Sequence, residues 1–258
     1  MRIGTWNLRL CPTSTSTSER GQAIAAWMDA QAVDVWLLTE VHRDWAPRDG
    51  HLVVSPRRSD DVECKRWAAI ESKLPMSELT TGDSPHPGDE GLVLARLALD
   101  GTSVLVACSV LPWKGAAKYW NGLPPGQFDQ WRFVLDHHVR RITAERRPGE
   151  ALVWGGDLNQ ELTPPTWGGT RDGATTLRAA FEYLGLTALT QGLSHLNRLS
   201  HSIDHLAVSA DVLAERVEVH RPTWADHKDL SDHAAYIADV WLPASAAGVT
   251  GVDSVGGA

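Results

Sequence analysis

Ala151-Leu152-Val153-Trp154-Gly155-Gly156-Asp157-Leu158-Asn159 is the stretch on which the reading of this chain turns. Ala151–Gly155 reads as a short buried strand, and a carboxylate and a carboxamide arrive where the apolar run stops. Working outward, the same pattern of an apolar strand ending in oxygen-bearing or imidazole side chains recurs at Asn7, Glu40, Asp204, and Asp232 with His233. Each of these alone is an ordinary turn former or cap. Together they supply the carboxylate and amide oxygens that a hard divalent cation needs, and the cation or donor that developing charge on a phosphoryl group needs.

The frame around these residues alternates strands with amphipathic helices. Strands are expected at Ile3–Leu10, Val33–Thr39, His51–Ser55, Trp67–Ser72, Leu92–Leu99, Ser103–Leu111, Ile203–Ser209, Glu215–Arg221 and Ala234–Trp241. Asp100-Gly101 suits a two-residue turn, so the two strands around it should pair antiparallel. Ser18 is placed to cap a helix that presents Ile24, Trp27 and Met28 on one face. A long helix is expected over Gln127–Arg146, where Phe128, Trp131, Val134, Leu135, Val139 and Ile142 keep helical spacing, and a shorter one over Thr175–Leu184. Antiparallel signals mixed with helices imply an α/β architecture of sheets packed against helices, with one domain over 1–243 and a disordered tail over 244–258.

The 258 residues carry 24 basic and 32 acidic side chains, a net charge of −8. That balance argues against a polybasic surface for sequence-independent nucleic-acid binding. Arg96 and Asp100 interrupt the most apolar region, so no transmembrane segment is expected. The start of the chain lacks the features of a secretory signal, which points to a cytoplasmic protein. Cys11, Cys64 and Cys108 are too few and scattered for a disulfide framework and read as buried free thiols.

Thr5-Trp6-Asn7, Leu38-Thr39-Glu40-Val41, Gly156-Asp157-Leu158-Asn159, Ser202-Ile203-Asp204-His205 and Ser231-Asp232-His233 resemble, in order and spacing, the motifs of the endonuclease/exonuclease/phosphatase superfamily. The resemblance implies a deoxyribonuclease-like fold, an α/β four-layer sandwich of two mostly antiparallel sheets packed face to face with helices outside. It implies Mg²⁺-dependent hydrolysis of a phosphoester, with Mn²⁺ as an alternative ion, and a DNA, RNA or nucleotide substrate. Carried over by position, Glu40 matches the principal metal ligand, and Asn7 and Asp232 match residues that help hold the metal or its waters. Asp157 and Asn159 match the pair that activates or positions water, His233 the histidine on the phosphate, and Asp204 its orienting carboxylate. Either Asp157 or His233 could serve as the base. A phosphatase or phospholipid phosphodiesterase of the same fold, and a non-catalytic binding domain on this scaffold, are the rival readings.

Two departures stand out. Arg9 occupies a position where some relatives carry an acidic residue, and the segment Cys108-Ser109-Val110-Leu111-Pro112-Trp113 lacks the His or Tyr that many relatives place there. Ser109, Trp113 and Lys114 are the available substitutes. The twelve tryptophans divide into Trp27, Trp36, Trp131 and Trp154, expected in the core, and Trp113, Trp120, Trp167 and Trp224, in Pro/Gly-rich segments near the motifs. Those segments, Pro112–Gly126 and Thr163–Gly173, also hold Lys114, Lys118 and Arg171; they suit either base stacking with phosphate contact or anchoring of loops. His205 is expected to pack on the face opposite Asp204, and His137 and His138 to be solvated or packed within the long helix.

Overall fold

A computed structural model describes residues 1–9, 18–47, 49–59, 65–79, 86–99, 102–163, 167–195, 200–224 and 228–242. The strands are β1 (Arg2–Asn7), β2 (Val35–His42), β3 (His51–Val54), β4 (Lys65–Ser72), β5 (Met76–Glu78), β6 (Leu92–Leu99), β7 (Thr102–Val110), β8 (Ala151–Asp157), β9 (Leu186–Ala188), β10 (Asp204–Ser209), β11 (Leu213–His220), β12 (Thr223–Trp224), β13 (Lys228–Asp229) and β14 (Ala235–Trp241). The helices are α1 (Glu19–Ala30), α2 (Gln127–Glu145) and α3 (Arg171–Leu184).

Two six-stranded sheets form, in the orders β11-β14-β1-β2-β4-β3 and β5-β6-β7-β8-β10-β9. Within them, β1 with β2 and β7 with β8 pair parallel, and the other neighbours pair antiparallel. Three buried clusters separate four layers. Ile24, Met28 and Trp36 lie between α1 and the first sheet. Leu37, Ile70, Val106 and Val153 lie between the sheets. Trp131, Leu135, Trp154 and Phe181 lie between the second sheet and helices α2 and α3. Alternation along β2 explains the division, since Trp36 and Leu37 point to opposite faces and each meets a different apolar layer.

Local chemistry accounts for several ends. Ser18 caps α1 by accepting from Gly21 N at 2.9 Å, as its sequence position predicts. Helix α3 starts earlier than expected, at Arg171, because Thr170 accepts from Gly173 N at 2.9 Å and Asp172 sits in the first turn. Strand β1 stops at Asn7 rather than Leu10, and Arg9 turns into the left-handed region at φ 52°. The short strands β5 and β9, absent from the sequence reading, carry too few residues for an alternation to show. Leu99 pairs with Thr102 across the expected antiparallel connection, while the turn residues 100–101 lie outside the described residues, as do Cys11, Cys64 and the tail over 244–258. Cys108 is a buried free thiol.

Arg96, which breaks the apolar run of β6, is tied to Glu150 at 2.6 Å and caps the Glu145 carbonyl at 2.7 Å. A charge in that strand is thus satisfied by Glu150 and by the end of α2. Among the described residues no helix is long and apolar enough to cross a membrane.

Candidate active site

Strands β1, β2, β8 and β10 bring their polar ends to one seam between the two sheets. The close approach depends on Gly155 and Gly156. A Cβ on Gly155 would stand 2.7 Å from both His205 O and Leu37 Cδ1, and one on Gly156, at φ 123°, would collide with Ser109 O. With that contact in place, the Asn7 carboxamide spans the seam, donating to Glu40 Oε1 at 3.3 Å and to Asp157 Oδ2 at 3.1 Å. Its Oδ1 accepts from Arg9 N at 2.8 Å, which fixes the amide with its nitrogen toward the carboxylates.

Glu40 lies within β2 yet has φ 52°, and the β2–β4 register passes from Thr39↔Ala68 to Val41↔Arg66 around it. Asn159 has φ 50°. With Arg9, three of the four non-glycine residues at positive φ among the described residues therefore sit at this seam, a concentration of backbone strain characteristic of functional positions. Asn159 N–H donates to Asp157 Oδ1 at 3.0 Å and its carboxamide donates to Leu111 O at 2.9 Å, so the turn after β8 grips both the carboxylate and the end of β7.

Asp157 pairs directly opposite Asp204 in the β8–β10 ladder, and both are buried. The compensating charge comes from the other sheet: His233 Nδ1 lies 2.7 Å from Asp204 Oδ2. The loop carrying His233 is stitched to β1, with Ser231 Oγ donating to Asn7 O at 2.6 Å and Trp6 Nε1 donating to His233 O at 3.1 Å. Asp232, next to His233, is half-exposed and faces Arg9 at 3.5 Å. Thus Asn7, Glu40 and Asp157 form one hydrogen-bonded group, Asp204 and His233 a second, and the β8–β10 pairing joins them.

Electrostatics follow from this burial. Desolvation, then the Asp204 charge, pushes Asp157 up to about 7 against the opposing pull of His233. Burial alone would lower His233, but the Asp204 charge and hydrogen bond, with Asp157 and Asp232 beyond, raise it to about 10. Burial also raises Glu40, while the Asn7 hydrogen bond and the charges of His233 and Arg58 act the other way.

A groove of about 650 Å³ adjoins Asn159 and is lined by Trp113, Lys114, Phe128, Gln160 and Trp167, among others. Trp167 is 74% exposed there. Trp120, for which stacking and loop anchoring were both open, is fully buried, stacks on Trp67 at 5.7 Å and donates to Pro87 O at 2.7 Å. It anchors its loop. Trp113 likewise packs edge-on against Trp67, with ring centroids 5.2 Å apart. Trp224 packs against the α1 layer. Ser109 is buried and accepts from Trp154 Nε1 at 2.8 Å.

His205 packs as expected, buried and within 3.0 Å of Thr190 Oγ1 and 2.7 Å of Gln160 O. His137 and His138 are buried, one 2.9 Å from Asp89 and the other 2.7 Å from Gly88 O. Two residues at the site had no sequence signal. Arg58 is buried with its guanidinium 3.5 Å from the Trp67 ring centroid, and its charge reaches Glu40. His195 stands edge-on to His233, with ring centroids 4.9 Å apart.

The chain matches the Endonuclease/Exonuclease/phosphatase family over residues 4–233 and belongs to it. No curated protein matches its sequence. Among solved structures, it resembles the endonuclease domain of TRAS1, a telomere-specific non-LTR retrotransposon, at TM-score 0.64 and 16% identity, covering 93% of this chain and 98% of that one. An AP endonuclease from Archaeoglobus fulgidus aligns at TM-score 0.63 and 15% identity, with the same 93% and 98% coverage. Humanised D. rerio TDP2 aligns at 0.57 and 15%, covering 93% and 98%. These likenesses show a shared fold.

Members of this family generally depend on a divalent cation. The residues present suit one. Glu40 is a largely buried carboxylate whose direct donor is an amide at 3.3 Å, leaving its charge short of compensation, and Asp232 adds a second hard oxygen donor.

Proposed function

We propose that the protein is a Mg²⁺-dependent phosphoesterase that hydrolyses phosphodiester bonds of nucleic acid or nucleotides. The observation that supports this most is the buried Asp157–Asp204 pair facing His233, set beside Glu40 and Asn7 across one seam. Glu40 and Asp232 would hold Mg²⁺, or Mn²⁺, with Asn7 fixing the Glu40 carboxylate. When bound, the cation supplies Lewis-acid stabilisation of charge on the phosphoryl oxygens.

The residues of the chain divide the remaining work. Asp204 holds Nδ1 of His233 and keeps the ring protonated to about 10, so the imidazolium offers its Nε2–H to a phosphate oxygen. A histidine held protonated at neutral pH cannot accept a proton, which favours Asp157 as the base that takes one from the attacking water. Raised to about 7, Asp157 is poised for that transfer. Asn159 orients it through the N–H on Oδ1. The exposed Trp167 and the adjacent Lys114 suit a base and a phosphate along the groove.

A second reading, a phosphatase or phospholipid phosphodiesterase, is favoured by one observation: Ser109 is engaged by Trp154, so the end of β7 presents no acid for a leaving group. Hydrolysis assays with Mg²⁺ over plasmid DNA, single-stranded DNA and RNA, nucleotides, inositol phosphates and sphingomyelin separate the two. Cleavage of nucleic acid or nucleotides that is lost in Asp157→Asn supports the first reading. Turnover confined to inositol phosphates or sphingomyelin supports the second, and no turnover on any substrate leaves the binding-domain alternative.

A further inference from the structure

Beside the oxygen-rich seam stands a nitrogen-rich cluster that joins the Asp204–His233 pair of the hydrolytic reading to His195, a residue that reading does not use. His195, Asp204 and His233 each place a ligand-capable atom within 4.8 Å of the others. His195 Nδ1 is 3.8 Å from Asp204 Oδ2, which is itself 2.7 Å from His233 Nδ1. Two atoms here are buried without a hydrogen-bond partner among the described residues: His195 Nδ1 and Asp204 Oδ1. Asp204 is fully buried, so an unused carboxylate oxygen at this place is costly unless something else satisfies it.

The position of His195 is built rather than incidental. Its N–H donates to Ser200 O at 2.9 Å, and its carbonyl accepts from Arg221 Nη2 at 2.7 Å. The neighbouring Ser194 bridges to His201 and receives the Tyr236 hydroxyl on its carbonyl at 2.9 Å. These contacts fix the main chain of residues 194–195 beside the Asp204–His233 pair. Two imidazoles and one carboxylate form a donor set that suits Zn²⁺, whereas Mg²⁺ favours all-oxygen surroundings.

We propose that His195, Asp204 and His233 form a Zn²⁺-selective site, separate in chemistry from the oxygen donors Glu40 and Asp232. Loading it forms bonds to His195 Nδ1, His233 Nδ1 and an Asp204 oxygen, and the proton shared by His233 and Asp204 leaves to solvent. The second histidine-carboxylate group, His86, Asp89 and His137, is the internal control: its Asp89 Oδ1 is already engaged by both Arg141 at 2.7 Å and His137 at 2.9 Å.

Calorimetric titration of the full chain with Zn²⁺, in excess Mg²⁺, tests this. The expected result is one Zn²⁺ site that Mg²⁺ does not displace, weakened at least about tenfold in His195→Ala and retained in His137→Ala. Should the alanine variant unfold, His195→Gln carries the same expectation. Equal Zn²⁺ affinity in wild type and the folded His195 variant, or loss only in His137→Ala, overturns the proposal. Because the readout is binding, a protein that takes Zn²⁺ through His195 yet hydrolyses nothing when zinc-free and supplied with Mg²⁺ would refute the proposed function and leave this site standing.

Discussion

Asp157 and Asp204 face each other across the β8–β10 ladder, two buried carboxylates in register. Like charges directly opposite destabilise a sheet. The fold tolerates the pair because His233, reaching over from the other sheet, places its ring 2.7 Å from Asp204. The two carboxylates therefore differ in kind: one is bound to an imidazole, and the other is held by the amide donors of Asn7 and Asn159.

Removing the imidazole's partner should expose that dependence. In Asp204→Asn the His233 proton loses its carboxylate, so its pKa falls from about 10 toward the ordinary 6.5. Histidine NMR titration reads the shift directly. Hydrolysis at pH 8 should drop about 10²–10⁴-fold, the range of a lost general acid or base contribution, and its alkaline limb should move to lower pH.

Asp157 should destabilise the metal-free protein at neutral pH. A carboxyl raised by folding contributes stability that is complete below its unfolded value of 3.8 and lost as pH rises through about 7. Asp157→Asn should accordingly be more stable than wild type at pH 8, by on the order of 2 kcal/mol, with the gain vanishing near pH 4. Denaturant titrations at both pH values, without added metal, check the sign.

Glu40→Ala should weaken Mg²⁺ binding by more than about tenfold while leaving the fold intact, since the side chain is paired to Asn7 and not to the core. Calorimetry on the folded variant decides the matter. Unchanged affinity would move the cation elsewhere.

Trp167 and Trp120 should part company. Trp167→Ala removes an exposed ring from the groove and should cost about 1–3 kcal/mol of single-strand binding with little change in stability. Trp120→Ala removes a fully buried ring and should cost about 3–5 kcal/mol of folding stability. Equilibrium binding and denaturant melts of the same two variants supply both readouts.

How much of this was legible beforehand varies with the range of the interaction. Asn7 and Asp157 could be found because each ends an apolar strand, a local signal; Glu40 lies inside β2, Asp204 opens β10, and Asp232 and His233 precede β14 rather than end a strand, so these, with Asn159, were found because their order matches a family. For Trp120 the Pro/Gly-rich segment left stacking and anchoring both open, because the contact that decides for anchoring, the stacking on Trp67, joins residues far apart in sequence. His195 carried no mark in Leu193-Ser194-His195-Leu196; its place is set by the Ser194–His201 bridge and by Arg221. Helix α3 was shortened because Gly173 resembles a loop residue until its N–H is seen bonded to Thr170. Arg9 was visible as a departure, but its pairing with Asp232 required the fold.

Strand β14 hydrogen-bonds alongside β1, so residues 235–241 complete the sheet that residues 2–7 begin. During synthesis, a growing chain can present Asn7 and Glu40 long before an imidazole exists to face them. Nor can the seam close until β14 has left the ribosome and docked on β1. Assembly of the seam is therefore one late event in the synthesis of these residues rather than something that accumulates with length.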